Sequence, residues 1–395
     1  MIVLSGGDLV LPDRILTSAS LIVDGDRIAA IAPAPHRPSA ATVIDVQDHF
    51  IVPGFIDVHV HGVEGFDSLD IEQPIAQIAA RLPRYGVTAF CPTTVACEPH
   101  ALNAVLNAVA NARVSPVPGG ARVLPAHLES NFINPEFKGA QPSACLRLPN
   151  DDRCEGTFTG RDILNVIHER AADVGIVTVA PEVDGVLDLI PGLVRSGQRV
   201  SLGHSGADFE RSLAAIDAGA RHATHLFNRM TPITHRAPGL AGAVLSHDAV
   251  TAELICDGFH VHPAMCRVAI AAKGVDRVMA ITDGTAGAGL SPGTLTRLGG
   301  RTIRVSDQAA LLEDGTLAGS TLTMDKAFRN VVTMFAMSIA EAATMCSTTP
   351  ARALGLTGFG VLAEGNVADL AVLDRAFRVV RTFIGGEQVY PRTSE

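Results

Sequence analysis

The sequence predicts an α/β protein: a closed (β/α)8 TIM-like barrel with a small β-sandwich domain built from both termini. Three observations favour this fold. Strand-like and helix-like segments alternate from residue 54 to residue 350, which is typical of a parallel α/β fold. Residues 1–53 and 351–395 have β patterns without helical periodicity. Most candidate strands of the middle region end in His, Glu or Asp, and active sites of such barrels lie at the carboxyl ends of the strands.

The two ends of the chain are predicted to pair in one small β domain. Strand patterns and tight turns occur near both ends, at residues 20–28, 42–46, 365–373 and 379–388. Asp-Gly and Gly-Gly pairs within these segments are typical of hairpin turns. We therefore expect residues 1–53 and 351–395 to form the small domain, with the barrel, residues 54–350, inserted between them.

The middle region contains eight strand candidates, the number that closes a TIM-like barrel. They span residues 55–61, 87–95, 121–129, 176–182, 199–204, 221–227, 250–258 and 277–283. Helical segments lie between most of them, for example at residues 71–84, 101–113, 161–173 and 209–218. Eight β/α units over roughly 300 residues fit a closed barrel better than an open sheet.

Composition and charge limit the classes of partner. Hydrophobic residues make up 47% of the 395 positions and charged residues 18%, which is typical of a globular protein and excludes disorder. A formal net charge of -10 argues against nucleic acid and anionic membrane surfaces as partners. No apolar run approaches the ~18 residues of a membrane span, and a basic signal-peptide region is absent from the N-terminus. Seven cysteines without a CxxC pair indicate reduced thiols in a cytoplasmic protein.

The first barrel strand has two histidines at its end. A Pro53-Gly54 turn is followed by an apolar run that ends in His59-Val60-His61. Positions i and i+2 of a strand face the same side, so both imidazoles can reach one divalent ion. Such a pair also arises by chance in a chain with 14 histidines, and a second pair occurs at His260 and His262. The ends of the other strands decide between these interpretations.

Six of the eight candidate strands bring a candidate His, Glu or Asp to their carboxyl ends: His59 and His61, Glu129, His204, His225, Asp257 followed by His260, and Asp283. These are the residue types of metal-dependent hydrolysis. Glu129, His204 and His225 form a three-ligand set that leaves a position open for water. His59 and His61 can hold a second ion, with Glu129 bridging the two ions. Asp283 is placed to act as general base on the water and then as acid to a leaving amine. The sequence thus predicts a metal-dependent hydrolase barrel.

Ordered motifs extend nearly from one end of the chain to the other: Pro53 to His59, His127 to Glu129, Asn134 to Glu136, Lys138 to Ala140, Ala180 to Glu182, Gly203 to Ser205, Ala223 to Asn228, Asp257 to His260, Thr282 and Asp283, Gly315 to Ser320, Pro350 to Arg352, and Gly365 to Asp369. Together they resemble the N-acetylglucosamine-6-phosphate deacetylase family of the amidohydrolase superfamily. The resemblance implies hydrolysis of the N-acetyl group of an N-acetyl-hexosamine 6-phosphate, with N-acetylglucosamine 6-phosphate as the expected substrate. Hydroxide formed at the metal would attack the amide carbonyl, and acetate and an amino-sugar phosphate would be the products.

The resemblance also assigns roles to residues of the site. Glu129, His204 and His225 match the metal ligands, and His59 and His61 match the second site of the two-metal members. The cofactor is therefore one or two divalent ions, with zinc expected and Fe, Mn or Co as alternatives. Asp283 matches the catalytic Asp. The residues that match the sugar-phosphate ligands are Asn228, Arg236 and His260, and the family commonly forms homodimers in which a partner completes that pocket.

Two departures from the family pattern lie on the loop after the third strand. Ser130-Asn131 stands where the family usually has Gly-Pro after the metal-binding Glu, and Gln141 replaces a histidine that helps to polarise the acetyl carbonyl. In place of that histidine, Gln141 is expected to stabilise the oxyanion. Two alternatives stay open: an amidohydrolase acting on a different N-acyl or cyclic amide substrate, and a non-catalytic barrel scaffold. The sequence does not distinguish the gluco from the galacto epimer.

Overall fold

Two separate hydrophobic cores organise the chain, one in a parallel barrel and one in a sheet made from both termini. The computed structural model describes residues 1–36, 41–150 and 156–391. Parts of the two segments predicted as the small domain, residues 37–40 and 392–395, lie outside the described residues. The predicted fold class, a TIM-like barrel with a separate β domain, is confirmed.

In chain order, the strands of the described residues are β1 (Ile2–Val10), β2 (Ile15–Asp24), β3 (Arg27–Ala32), β4 (Thr42–Asp45), β5 (Phe50–Pro53), β6 (Phe55–Val60), β7 (Gly62–Val63), β8 (Phe66–Asp67), β9 (Val87–Thr94), β10 (Arg122–Val123), β11 (Ala126–Glu129), β12 (Val174–Val179), β13 (Arg199–Leu202), β14 (His222–Ala223), β15 (Thr251–Ile255), β16 (Val278–Ile281), β17 (Leu295–Leu298), β18 (Arg301–Val305), β19 (Ala310–Leu312), β20 (Leu370–Leu373), β21 (Val379–Ile384) and β22 (Glu387–Tyr390).

The α-helices of the same residues are α1 (Pro74–Arg81), α2 (Pro99–Val114), α3 (Gly160–Glu169), α4 (Val186–Arg195), α5 (Phe209–Asp217), α6 (Gly239–Ser246), α7 (Pro263–Lys273), α8 (Met324–Thr333), α9 (Ile339–Ala343) and α10 (Thr349–Leu354). Short 3-10 turns occur at Leu82–Tyr85, Pro135–Phe137, Ser143–Cys145, Ala171–Asp173 and Val275–Arg277, and a π-helical turn at Thr344–Thr348. None of the helices described is both long enough and apolar enough to cross a bilayer.

The barrel is built from parallel strands in the order β6, β9, β11, β12, β13, β14, β15 and β16, with the short β10 also paired to β9. It closes where β16 returns to β6: the amide of Asp283 donates to the carbonyl of His59 at 2.9 Å, and the amide of His61 to that of Gly284 at 2.8 Å. One helix, from α1 to α8 in turn, follows each of the eight barrel strands. The carboxyl ends of all eight strands therefore meet at one rim.

Local sequence explains how these units form. The barrel strands are buried on both faces, as expected for parallel strands enclosed by helices. Helix α3 begins at a capping box in which Thr159 and Asp162 satisfy each other's backbone amides. Helix α5 begins at Asp208, whose carboxylate accepts from the amide of Arg211 at 2.7 Å. These caps fix the first residues of two of the helices that follow barrel strands.

All eight predicted barrel strands are present, each shorter than its predicted range, and the third and the sixth differ most from the prediction. The third is divided into β10 and β11 around Pro125, which has no amide hydrogen for a strand ladder. The sixth is reduced to His222–Ala223 because the chain then turns sharply, with positive φ angles at His225 and Phe227. Because β14 ends at Ala223, His225 lies outside the strand ladder, and the turn after the strand orients its ring.

A three-stranded antiparallel sheet, β17 to β19, lies between β16 and α8. This sheet was not predicted from the sequence. Its core residues Leu298, Ile303 and Ala310 pack with Val95 from the loop after β9. Leu298 also lines the cavity above the barrel rim. This insertion therefore supplies one wall of the candidate site.

The terminal strands form one eight-stranded sheet, ordered β22, β21, β20, β5, β1, β2 and β3, with β4 also paired to β1. The sheet folds back on itself, because the edge strand β3 is bonded to the segment before β20: the amide of Ile28 donates to the carbonyl of Asn366 at 2.9 Å. Leu4, Leu21 and Phe383 share its enclosed core. The N- and C-terminal segments thus pair as expected, while the limits at residues 53/54 and 350/351 stay a prediction.

Candidate metal centre

Three side chains predicted as metal ligands converge at the barrel rim. Glu129 ends β11, His204 follows β13 and His225 follows β14. The Nε2 atoms of His204 and His225 lie 2.7 and 2.8 Å from the same Glu129 oxygen, Oε1, and 3.1 Å from each other. Each of the three residues is at most 4% exposed. The sequence-predicted set is thus brought together from the ends of the third, fifth and sixth barrel strands.

His59 and His61 lie beside this set. Their Nε2 atoms are 3.3 Å apart, and each lies 3.3 Å from Oδ1 of Asp283. The second oxygen of Glu129, Oε2, is 3.6 Å from Nε2 of His61. Glu129 therefore directs one oxygen at each pair of histidines, which is the arrangement expected of a bridging carboxylate.

The donor set fits a divalent cation. Four imidazole Nε2 atoms and two carboxylates face one another in a buried volume, and two groups of ligand atoms, His59–His61–Glu129 and Glu129–His204–His225, each lie within 4.8 Å. When two imidazoles this close are both neutral, their nitrogen lone pairs face each other and repel. A cation shared between them removes this repulsion. Imidazole and carboxylate ligands together suit zinc and other first-row divalent ions. His59, His61, Glu129, His204 and His225 are the residues that would hold such ions.

The electrostatics of the cluster favour positive charge. Burial by itself raises the pKa of the Glu129 carboxyl, but the adjacent rings of His204 and His225 hold that pKa well below its usual range. Asp283 behaves in the same way, with His59 and His61 lowering its pKa against the effect of burial. Burial also opposes protonation of His225, yet its hydrogen bond to Glu129 raises its pKa to about 9. Two buried carboxylates thus stay ionised and attract a cation.

Several site residues have left-handed backbone. The φ angles are +49° at His204, +29° at His225 and +47° at Asp283. Non-glycine residues in this region cost of order 1–3 kcal/mol each and concentrate at functional sites. Here the unusual angles turn the chain at the strand ends so that three side chains aim at one point. These backbone angles therefore lower the stability of the rim, but they place the three side chains.

A cavity of about 460 Å³ opens above the ligand cluster. This volume suits a small-molecule ligand. Glu129, His61 and Asp283 form part of its floor, and Gln141 and His260 lie on its walls. Gln141 is held in place because its Oε1 accepts from the amide of Ala96 at 2.7 Å, while its Nε2 donates to Oε2 of Glu129. The second hydrogen of this Nε2 is left for a ligand in the cavity.

The two unusual residues after Glu129 do not line the described cavity wall. The Ser130 hydroxyl donates to the carbonyl of Thr178 at 2.6 Å. The Asn131 side chain donates to the carbonyls of Cys97 and Cys145 at 2.8 and 2.7 Å. Both residues are buried, so they tie neighbouring loops together. Of the two departures seen in the sequence, only Gln141 faces the cavity.

The far side of the cavity contains two of the three residues expected to bind a phosphate. Asn228 and His260 line it, and His260 is oriented by Asp257, whose carboxylate lies 2.6 Å from Nδ1. The buried Nε2 of His260 has no partner among the described residues. The expectation that Arg236 joins them is not met within one subunit, because Arg236 is exposed on the surface loop 232–237 and does not line the cavity.

Arg229 is a cavity residue that the sequence analysis missed. It lines the wall beside Asn228 and is exposed, with no side-chain hydrogen bond or ion pair to another described residue. Its side chain packs over Gly139, where an added Cβ would lie 2.6 Å from the guanidinium Nε. The available signal was a charged residue immediately after the motif Ala223 to Asn228, on the turn that follows β14.

Comparisons with known proteins agree along nearly the whole chain. The model of the Amidohydrolase family matches residues 196–389. The N-acetylglucosamine-6-phosphate deacetylase of Bacillus subtilis (strain 168) is 33% identical over 386 residues, which cover 96% of this chain and 94% of the relative. The N-acetylgalactosamine-6-phosphate deacetylase of Escherichia coli O157:H7 is 36% identical over 369 residues, 93% of each chain.

A solved structure shows the same similarity in three dimensions. It is a mutant of the N-acetyl-D-glucosamine-6-phosphate deacetylase of Mycobacterium smegmatis in complex with N-acetyl-D-glucosamine-6-phosphate. The two chains superpose with a TM-score of 0.87 at 32% sequence identity, covering 98% of this chain and 99% of the other.

Proposed function

The chain belongs to the N-acetylglucosamine-6-phosphate deacetylase family of metal-dependent amidohydrolases, and from this premise we propose that it hydrolyses the N-acetyl group of an N-acetyl-hexosamine 6-phosphate. N-acetylglucosamine 6-phosphate is the proposed substrate, and acetate and the amino-sugar phosphate are the products. The observation that supports this proposal best is the arrangement of the cavity. A buried cation site forms its floor, and His260 and Arg229 lie on its walls.

Different residues of the site would serve different steps of amide hydrolysis. A divalent ion held by Glu129, His204 and His225 would polarise the amide carbonyl and lower the pKa of a bound water. Asp283 would accept a proton from the attacking water and later donate it to the departing amine, and its ionised carboxylate permits the first of these steps. Gln141 would donate its free Nε2 hydrogen to the developing oxyanion. The buried floor excludes bulk water from these steps.

Further properties are proposed with this function. Zinc is the proposed ion, with Fe, Mn or Co as alternatives, and His59 and His61 would hold a second ion beside the first. The enzyme would be a cytoplasmic homodimer, and the six unpaired cysteine thiols of the described residues support a reducing compartment. In the dimer, Arg236 of the partner subunit would complete the phosphate end of the cavity, since Arg236 does not reach the cavity of its own chain.

Acetate release tests the proposed function. Enzyme stripped by a chelator and reloaded with zinc is given N-acetylglucosamine 6-phosphate, N-acetylgalactosamine 6-phosphate and unphosphorylated N-acetylglucosamine. We expect zinc-dependent release that is fastest with a phosphorylated sugar, and the two phosphorylated epimers identify the preferred hexosamine. Comparable rates with and without phosphate would favour an amidohydrolase of another specificity. No turnover by a metal-loaded enzyme with any of the three sugars would contradict the proposal.

Removing the cavity arginine should weaken phosphate recognition. Charge-assisted hydrogen bonds contribute ~1.5–3 kcal/mol, so we expect Arg229→Ala to raise KM for the phosphorylated substrate roughly 10- to 150-fold. Turnover of unphosphorylated N-acetylglucosamine should change little, because Arg229 does not contact the metal ligands in the described structure. Steady-state kinetics with both substrates measures the difference. Equal losses for both would show that Arg229 acts on the fold of the loop.

Arg236→Ala provides the matched variant, since it removes the same charge from the surface loop. If the partner subunit supplies Arg236, this variant also loses affinity for phosphate. Mixed dimers of Arg236→Ala and Glu129→Ala then regain activity, because the first subunit keeps the metal site and the second provides Arg236. Normal kinetics for Arg236→Ala, with or without mixing, would remove Arg236 from the site.

Restoring a histidine at position 141 tests the oxyanion donor. A protonated histidine donates a charge-assisted hydrogen bond, roughly twice as strong as a neutral one. Loss of a whole oxyanion donor costs ~3 kcal/mol, so we expect Gln141→His to raise kcat on the acetylated substrate by about tenfold. Ser130 and Asn131 point away from the cavity, which favours this simple outcome. A wild type that prefers formyl or propionyl over acetyl by tenfold or more would instead indicate a rebuilt acyl pocket.

A further inference from the structure

A glutamate lies buried beneath both halves of the candidate metal centre. Glu253 is the middle residue of β15, between Ala252 and Leu254, and its side chain is 0% exposed. It does not line the cavity, so it cannot contact a substrate there. A carboxylate at the centre of an apolar strand was a signal available in the sequence. Its place in the barrel interior requires an explanation.

Packing alone does not explain this carboxylate. Burying an ionisable group is costly unless its polar atoms are fully paired. Oε1 of Glu253 has no hydrogen-bond partner among the described residues, and Nδ1 of His127 is 3.7 Å away, too far for a hydrogen bond. That Nδ1 lies 3.0 Å from the carbonyl of Val58 instead. A methionine of similar shape would fill the same space without this cost.

The other oxygen of Glu253 contacts both groups of ligand histidines. Oε2 lies 2.9 Å from Nδ1 of His59, so the ring donates its Nδ1 hydrogen and presents the Nε2 lone pair to the site. The same oxygen accepts from the backbone amide of His225 at 3.3 Å. This hydrogen bond holds the backbone of His225 at its φ angle of +29°. The His225 ring then lies against Glu129 and His204. One atom thus orients one histidine of each pair.

We propose that Glu253 is a positioning residue for the metal centre: through Oε2 it fixes the tautomer of His59 and the turn at His225. This inference rests on the proposed two-ion site. Partners of this kind behind a ligand histidine typically change metal affinity by ~10- to 100-fold when they are removed. The proposal therefore concerns metal affinity, which is measured without substrate.

Three variants separate positioning from packing. Glu253→Met keeps the volume but removes the acceptor, and we expect zinc affinity to fall ~10- to 100-fold. Glu253→Gln retains one oxygen, which can take the place of Oε2, and its amide nitrogen replaces the unpartnered Oε1. The zinc affinity of this variant should therefore stay within a few-fold of wild type. If Glu253→Met does not fold, Glu253→Asp keeps the charge but is one methylene too short to reach His59, and the same loss is expected. Zinc per subunit and competition with a chelator give the dissociation constants.

Thr178→Val serves as the control for a general loss of buried polarity. Thr178 is also fully buried on a barrel strand, β12, and its hydroxyl bonds only to His127 and Thr224 among the described side chains. We expect it to lower the free energy of unfolding without changing zinc affinity. Zinc affinity in Glu253→Met equal to wild type would overturn the proposal, as would a loss of affinity in Glu253→Gln as large as in Glu253→Met. A wild type that binds a single zinc ion overturns the two-ion site, and with it the role assigned through His59.

Discussion

Replacement of Glu129 by alanine is expected to release metal from both halves of the site and to lower turnover at least ~10³-fold. Oε1 of Glu129 lies against His204 and His225, and Oε2 faces His61. Among the described carboxylates, Glu129 is the one whose oxygens approach imidazole Nε2 atoms of both pairs. A metal ion is worth several kcal/mol in stabilising charge, and ~4 kcal/mol corresponds to roughly 10³ in rate. Metal content per subunit and acetate release measure the two effects.

Glu136→Ala is the matched control for this change. Glu136 is an exposed carboxylate on the wall of the same cavity, and its side chain makes no contact with the ligand histidines in the described structure. Its removal takes away the same charge, so the metal content of this variant should equal that of wild type. Full metal content and turnover in Glu129→Ala would show that the ligand assignment is wrong.

Replacement of Asp283 by asparagine should lower turnover by ~10²- to 10⁴-fold, the range that a proton-transfer group contributes. The amide has nearly the same shape but cannot accept the proton of the attacking water. Asp283 lies 3.3 Å from both His59 and His61, while Glu129, His204 and His225 do not depend on it. We therefore expect retained metal at that three-ligand set and an unchanged fold. Metal analysis, circular dichroism and single-turnover acetate release check these points.

Asp67→Asn separates loss of the proton acceptor from loss of a buried acid. Asp67 is buried near the same rim and accepts from the backbone amides of Leu69 and Gly299. Burial raises its pKa to about 6, so removing its charge costs less than removing the charge of an ordinary carboxylate. Turnover of this variant should stay within a few-fold of wild type. If Asp283→Asn were equally active, another group would have to move the proton.

The strand ends explain why the sequence revealed so much of the site. In a parallel barrel, consecutive strands present their carboxyl ends at one rim. Residues as far apart in sequence as His59, Glu129 and Asp283 therefore meet once the number and order of the strands are known. The period-2 alternation placed His59 and His61 on one face, and the structure has their Nε2 atoms 3.3 Å apart.

Other features depend on contacts that local patterns do not encode. The sheet β17 to β19 is short and irregular in sequence, and its cavity wall exists only because Leu298 packs against Val95. The orientation of Gln141 is decided by the amide of Ala96, 45 residues earlier in the chain. The position of Arg236 outside its own cavity likewise follows from the path of a surface loop.

The sequence by itself determined the fold class, the family and the identities of the converging histidines and carboxylates. The fold class follows from periodicity, the converging residues from the residue types at strand ends, and the family from the resemblance of the ordered motifs, all of which are local properties of the sequence. Only the tertiary structure decided that Glu129 divides its two oxygens between two histidine pairs, that Arg229 faces the cavity and that Glu253 lies behind His59. The physical reason is that hydrogen bonds of this kind join atoms from separate strands, and closure of the barrel alone brings those atoms within ~3 Å.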